Sequence, residues 1–132
     1  MTWVVVPAAG QGLRAGGDVP KQYQLLLGRP MIQHTLEALC SHAGISGVVV
    51  VLAADDPYWM VWTTLAGVPI ITTQGGRERA DSVLAGLAAI PDTVSADEPV
   101  WVHDAARPCL SHSDIDALLQ ADASQGALLA VP

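Results

Sequence analysis

Two hydrophobic periods alternate along this chain. Short β-branched runs fall at Trp3 to Val6, Val48 to Leu52, Ile70 to Thr72, Val100 to His103 and Leu128 to Val131. Their apolar residues stand at consecutive positions, which reads as strands covered on both faces. Helical stripes lie between them: Ile32, Leu36, Leu39 and Ala43, then Val83, Leu84, Leu87 and Ile90, then Ile115, Leu118 and Leu119. The last is entered through Ser111 to Asp114, an S-x-x-D arrangement suited to a helix N-terminus. The pattern also predicts a shorter helix over Tyr58 to Leu65, and a surface loop over the Ala/Asp/Pro segment from Pro91 to Pro99. Doubly covered strands separated by helices belong to a mostly parallel sheet, so the predicted class is α/β. Ligands in such sheets gather where strands end at their carboxyl edge, and the residues just after each strand carry the chemistry.

Composition narrows the function. At 132 residues the chain is one domain, and 51% hydrophobic against 14% charged residues excludes a disordered, solvating polymer. The net charge of −7, with six scattered bases, argues against a duplex-binding protein, because phosphate-backbone binding needs a clustered basic face. Small anionic ligands remain open. No apolar run approaches the roughly 20 residues of a membrane span, and no basic leader precedes the first apolar stretch. Cys40 and Cys109 fit no metal spacing and are too few for a disulfide scaffold, so two reduced thiols in a cytoplasmic protein are expected.

The first strand runs into Pro7-Ala-Ala-Gly-Gln-Gly-Leu-Arg14, followed by Ala15, Gly16, Gly17, Asp18, Val19, Pro20 and Lys21. Glycines at 10, 12, 16 and 17 let backbone N–H groups approach a ligand closely, as phosphate-cradling loops require. Gly10, Gly12 and Ala15 also satisfy G-x-G-x-x-G/A, the dinucleotide fingerprint. That pattern needs a helix starting at the glycines, which Gly16, Gly17 and Pro20 oppose, and an acidic residue about 20 positions on, where none stands. A Walker-type loop fails for want of Gly-Lys-Ser/Thr. The segment does have two bases bracketing its tip, Arg14 and Lys21, in a chain owning only six. With backbone donors, they suit a triphosphate and the charge that builds when one phosphorus is attacked.

Two further clusters follow later strands. Gly75-Gly76 leads through Arg77, Glu78, Arg79, Ala80 and Asp81 to Ser82 at a helix start. Asp81 and Ser82 read either as capping residues or, for Ser82, as a hydrogen-bonding partner of a planar base lying on Gly76. The third cluster, Val102-His-Asp-Ala-Ala-Arg-Pro108, places Asp104 where ligands sit. A carboxylate beside a triphosphate suits Mg²⁺, while turn formation is its plainer duty. His103 alternates away from Asp104 and reads as structural, and Arg107 suits an ordinary ion pair.

With these motifs and Pro20-Lys21-Gln22-Tyr23 in this order, the sequence resembles the 2-C-methyl-D-erythritol 4-phosphate cytidylyltransferases across essentially its whole length. Less specifically, it is similar to ribitol-phosphate cytidylyltransferases and wider nucleotidyltransferases. The resemblance implies a Rossmann-like three-layer fold of the nucleotidyltransferase type. It implies that Pro7, Ala8, Ala9, Gly10 and Gly12 contact CTP, that Arg14 and Lys21 are the catalytic cations, and that Gly75, Gly76 and Ser82 serve cytosine recognition. Arg79 and Arg107 would support the nucleotide loops, Ala105 would be a further CTP-binding position, and Asp104 would hold Mg²⁺, the expected divalent cofactor. At position 77 some relatives carry an acidic residue where this chain has Arg77. The resemblance further implies a sugar-alcohol phosphate acceptor, a cytoplasmic homodimer, and no nucleic-acid or membrane partner.

Family members are longer, so residues 1–132 are expected to form the nucleotide-binding part of a cytidylyltransferase domain, with negligible turnover by themselves. Because a phosphate oxygen is already anionic, in-line attack on the α-phosphorus of CTP needs no general base or covalent nucleophile. This agrees with a sequence in which no Ser/His/Asp or Cys/His constellation is visible. Two other classes stay open: a nicotinamide-dependent oxidoreductase resting on Gly10, Gly12 and Ala15, and a non-catalytic nucleotide-binding domain.

Overall fold

The computed structural model describes residues 2–9, 19–54, 56–76, 78–94, 100–105 and 111–119. Strand β1 (Thr2–Ala8) opens the chain. A 3₁₀ turn (Lys21–Tyr23) then leads to a small hairpin of β2 (Leu25–Leu26) and β3 (Arg29–Pro30), followed by helix α1 (Met31–Cys40). Next come β4 (Ile45–Leu52), β5 (Thr64–Leu65), β6 (Val68–Gln74), helix α2 (Arg79–Ala89), β7 (Val100–Val102) and helix α3 (His112–Leu119). The main sheet has the order β5-β6-β4-β1-β7. Strands β6, β4, β1 and β7 are parallel, and only the short β5 runs against its neighbour.

The valine-rich strands are buried on both faces, as their unbroken apolar runs predict. Val4, Val6, Ala8, Val48 and Val50 pack with Ile32, Leu36 and Leu39 of α1 and Ile115 of α3. Trp3, Val5, Ala9, Val49 and Val51 point to the other face, where Ala85 and Ala89 of α2 cover them. Helices on both faces of a parallel sheet make the three-layer architecture. Trp3 pairs in register with Gly47, and its indole occupies the space a Cβ on Gly47 would need. Here the ring takes over the packing that glycine cannot supply.

Helix α2 turns a different face inward from the one the leucine spacing predicts. Leu84 and Leu87 are exposed, whereas Ser82 and Gly86 are buried. The face that packs is Ser82, Ala85, Gly86 and Ala89, a true i, i+3, i+4, i+7 stripe of small residues. A Cβ on Gly86 would overlap Val5, so this stripe brings the helix backbone closer to the sheet than a leucine face permits.

The helix expected over Tyr58 to Leu65 is not formed. Asp56 Oδ1 accepts the N–H groups of Tyr58 and Trp59 at 2.8 and 3.1 Å, the pattern of an N-cap, yet no helix follows it. Val61 has φ 58°, outside the helical region, and Thr64–Leu65 pairs antiparallel with Val68–Pro69. Ala66 and Gly67, at φ 51° and 82°, close that hairpin with the signature of a type I′ turn, as Leu27 and Gly28 at 54° and 82° close the β2–β3 hairpin. Ser111 stands directly before α3, and its carbonyl accepts the Ile115 N–H at 3.2 Å. Pro91 to Val94 form a turn, and the expected strand Leu128 to Val131 lies outside the described residues.

Candidate functional site

From β1 the chain moves outward to β4 and β6, then returns to the other side of β1 as β7. The strand order therefore reverses between β1 and β7, with α1 and α2 on opposite faces. A reversal of this kind opens a crevice at the carboxyl ends of the two strands. Pro7, Ala8 and Ala9 end β1 there, and His103, Asp104 and Ala105 follow β7. The His103 N–H donates to the Val5 carbonyl at 2.9 Å, holding the β7 exit against β1. Asp104 is half-buried beside it. The buried Thr35 hydroxyl of α1 donates to the Ala105 carbonyl at 3.0 Å and fixes the following turn.

The exit of β6 converges on the same edge. The Gly75 N–H donates to the Leu52 carbonyl at 2.9 Å, continuing the ladder beyond β4. A Cβ at Gly75 would stand 2.5 Å from Ser82 Oγ and 2.7 Å from Ala9 Cβ, so the absence of a side chain lets these three positions meet. Ser82 is 3% exposed, in the first turns of α2 but not at its cap. The capping role belongs to Glu78 and Asp81, whose side chains form a reciprocal capping box. With two acidic side chains on its opening N–H groups, this helix end is poorly suited to holding an anion. Gly75, Gly76 and Ser82 thus fit contact with a neutral ring better than with phosphate. Arg79 is the exposed first residue of α2.

Lys21 is exposed at the start of the 3₁₀ turn. Its neighbours tie that turn to the sheet edge. The buried Gln22 side-chain amide donates to the Ala8 carbonyl at 3.1 Å, and the Tyr23 hydroxyl donates to Asp56 Oδ2 at 2.5 Å. Motif reading quotes Gln22 and Tyr23 without giving them a role, and it passes over Thr35 and the structural use of Asp56. Gln22 and Tyr23 are signalled by their place beside Lys21 in the Pro20–Tyr23 motif, Thr35 and Asp56 only by polarity next to apolar core positions. Of the sequence-predicted site residues, Gly10, Gly12, Arg14 and Arg107 lie outside the described residues, as does Arg77.

Burial foremost, and then the Asp56 carboxylate, push the Tyr23 phenol far above its usual range. Folded Tyr23 therefore keeps its proton at pH values where the unfolded chain, with an ordinary phenol near 10.0, begins to lose one. Its stabilising contribution is complete below that pH and declines as pH rises beyond it. Urea titrations between pH 8 and 11 are expected to show this alkaline loss, and Tyr23→Phe is expected to flatten it. An unchanged slope would count against the buried phenol. Burial likewise pushes the free thiol of Cys40 up to about 11, which keeps it protonated and unreactive.

Among the described residues, no cluster of three or more His, Cys, Asp or Glu side chains is placed to hold a metal ion. Nor is any helix among them long and apolar enough to cross a membrane.

A doubly wound sheet whose described strand exits meet around its switch point defines a Rossmann-like α/β domain, and its likeness to solved structures makes it one of the nucleotidyltransferase type. The sequence profile of the 2-C-methyl-D-erythritol 4-phosphate cytidylyltransferase family matches residues 2–132, and the chain belongs to that family. It is 53% identical to the 2-C-methyl-D-erythritol 4-phosphate cytidylyltransferase of Xylella fastidiosa (strain M23), over 98% of this chain and 57% of that protein. The chain thus spans little more than half the length of such relatives. Among solved structures it is similar to a 4-diphosphocytidyl-2C-methyl-D-erythritol synthase, with TM-score 0.73 and 27% identity over 90% of this chain and 52% of that one. It is also similar to the Francisella tularensis 2-C-methyl-D-erythritol 4-phosphate cytidylyltransferase, with TM-score 0.69 and 30% identity over 94% of this chain and 54% of that one.

Proposed function

We propose that the full-length polypeptide joins CTP and 2-C-methyl-D-erythritol 4-phosphate, releasing pyrophosphate, and that residues 1–132 supply most of its CTP half-site. The observation that carries this reading is the convergence of the family's motifs on one sheet edge: Ala8–Ala9, Gly75 with Ser82, Lys21 and Asp104 all follow or flank strands around the switch point. An acceptor phosphate oxygen forms the new bond to the α-phosphorus of CTP as the bond to the bridging oxygen of pyrophosphate breaks. No proton need move. The work is to hold two mutually repelling anions together and to stabilise the charge on the five-coordinate phosphorus.

Arg14 and Lys21 are assigned to that charge. Pro7, Ala8, Ala9, Gly10 and Gly12 present backbone to the triphosphate. Gly75, Gly76 and Ser82 take the cytosine, Arg79 and Arg107 support the loops around it, and Ala105 is a further CTP-binding position. The half-buried carboxylate of Asp104 fits Mg²⁺, a hard cation that keeps waters and phosphate oxygens as its other ligands. When bound, Mg²⁺ neutralises phosphate charge and orients the triphosphate. A cytoplasmic location, consistent with the buried free thiol of Cys40, and a homodimeric state are parts of the same proposal.

The test is pyrophosphate release by the purified full-length polypeptide with CTP, ATP, GTP or UTP, against methylerythritol phosphate, ribitol phosphate or no acceptor. Turnover is expected only with CTP and methylerythritol phosphate together. Preference for ribitol phosphate would move the assignment to the neighbouring transferases. NAD binding without CTP binding would overturn it entirely.

A further inference from the structure

We propose that Gln22 and Tyr23 are positioning residues for Lys21, mooring the 3₁₀ turn that carries it to the carboxyl ends of β1 and β4. The inference rests on the reading of Lys21 as a cation beside the reacting phosphate. Lysine is a flexible point charge, and where its ammonium stands depends on how firmly its Cα is held. Here the Cα is held from both strands. The Gln22 amide donates at 3.1 Å to the carbonyl of Ala8, the last residue of β1 and the start of the glycine-rich segment. Gln22 is 7% exposed, so the bond is shielded from competing water.

The second mooring is Tyr23. Its ring is 5% exposed and packs in the core with Val4, Val6 and Ala8. Its hydroxyl reaches Asp56 just beyond β4, whose other carboxylate oxygen is occupied by the N–H groups of Tyr58 and Trp59. That carboxylate is consequently a fixed point. The rings of Tyr23 and Tyr58 meet at 5.1 Å, adding a packing contact to the same junction. Within the turn, Pro20 has φ −54°, its carbonyl accepts the Tyr23 N–H at 2.9 Å, and the Lys21 carbonyl accepts the Gln24 N–H at 3.1 Å. Folding thus settles the backbone of Lys21 before any ligand arrives, leaving only its side chain to be ordered. A pre-set donor gives more in a transition state than one assembled on binding.

The experiment uses the full-length polypeptide with CTP, methylerythritol phosphate and Mg²⁺. Gln22→Glu keeps the size of the side chain but sets an acceptor against the Ala8 carbonyl, and Tyr23→Phe removes only the hydroxyl. Each is expected to lower kcat about tenfold or more while KM for CTP moves by less than about threefold, the pattern of a contact realised in the transition state. In a Lys21→Ala background the same substitutions are expected to cost less than about twofold, because the group they position is gone.

Full kcat in both variants, with Lys21→Ala impaired, overturns the positioning role and leaves the parent reading intact. Losses that multiply with Lys21→Ala also overturn it, since they mark general damage to the fold. Unimpaired kcat in Lys21→Ala itself overturns both readings. If Gln22→Glu fails to fold, Tyr23→Phe decides by the same criteria.

Discussion

Replacing Lys21 by alanine in the full-length polypeptide is expected to lower kcat about 10²- to 10³-fold, which corresponds to about 2.7–4 kcal/mol of lost transition-state stabilisation. The size follows from what the site offers. The chain holds six Lys and Arg residues against 13 Asp and Glu, so its overall field repels a triphosphate and an acceptor phosphate alike. Local cations at the phosphorus must offset that field. Once bound substrates displace water around it, one ammonium acts on the charge that develops during substitution far more strongly than it would in bulk solvent. Because Lys21 is exposed and belongs to neither core cluster, its removal leaves the sheet and both helical layers intact. A drop in kcat with the urea midpoint unchanged is therefore the expected pair of results. Near-normal kcat with CTP and methylerythritol phosphate would remove Lys21 from the chemistry. Lys21→Arg is expected to rescue only part of the loss, since a planar guanidinium does not reproduce a compact point charge on the same stem.

The parts of this molecule that could be read without coordinates are those fixed by local, dense signals. Val4 to Val6 and Val48 to Val51 are unbroken β-branched runs that only a doubly covered strand can bury, and both lie at the centre of the sheet. The exits of β1, β6 and β7 are legible because each apolar run stops at glycine or aspartate, residues that end strands in turns. Helix α2 was misjudged at its face because leucines dominate any hydrophobic count. The sheet instead selected Ser82, Ala85, Gly86 and Ala89 for close approach, a choice made by tertiary packing. Over Tyr58 to Leu65 the apolar residues mimic a helical stripe, while Val61 takes a positive φ and the tight turn at Ala66–Gly67 draws Thr64–Leu65 into a hairpin with Val68–Pro69. Gln22 and Tyr23 stand in the Pro20–Tyr23 motif, but the contacts they make are not legible there. Their partners, Ala8 and Asp56, are 14 and 33 positions away, and no spacing rule links a glutamine to the carbonyl of a distant strand.

Asp104→Asn is expected to cost about 10²-fold in turnover at fixed Mg²⁺ and to raise the Mg²⁺ concentration needed for half-maximal rate by about 10- to 100-fold. Asparagine is the informative replacement because it matches aspartate in size and forms the same turns, so a residue serving only to bend the chain after β7 would lose nothing. What it lacks is the full negative charge a hard divalent cation requires. The backbone around position 104 has anchors besides the carboxylate, the His103 N–H on Val5 and the Thr35 hydroxyl on Ala105. The β7 exit should therefore keep its place in the variant, and a lower rate can be assigned to the metal. Wild-type and variant rates are to be compared across a Mg²⁺ titration at saturating CTP, with thermal unfolding of both proteins measured alongside. Superimposable titrations would exclude Asp104 as a ligand and leave it as a turn residue at the switch point. A displaced titration with unchanged unfolding would place the cation on the same edge as Ala8–Ala9 and Lys21, where the triphosphate is proposed to lie.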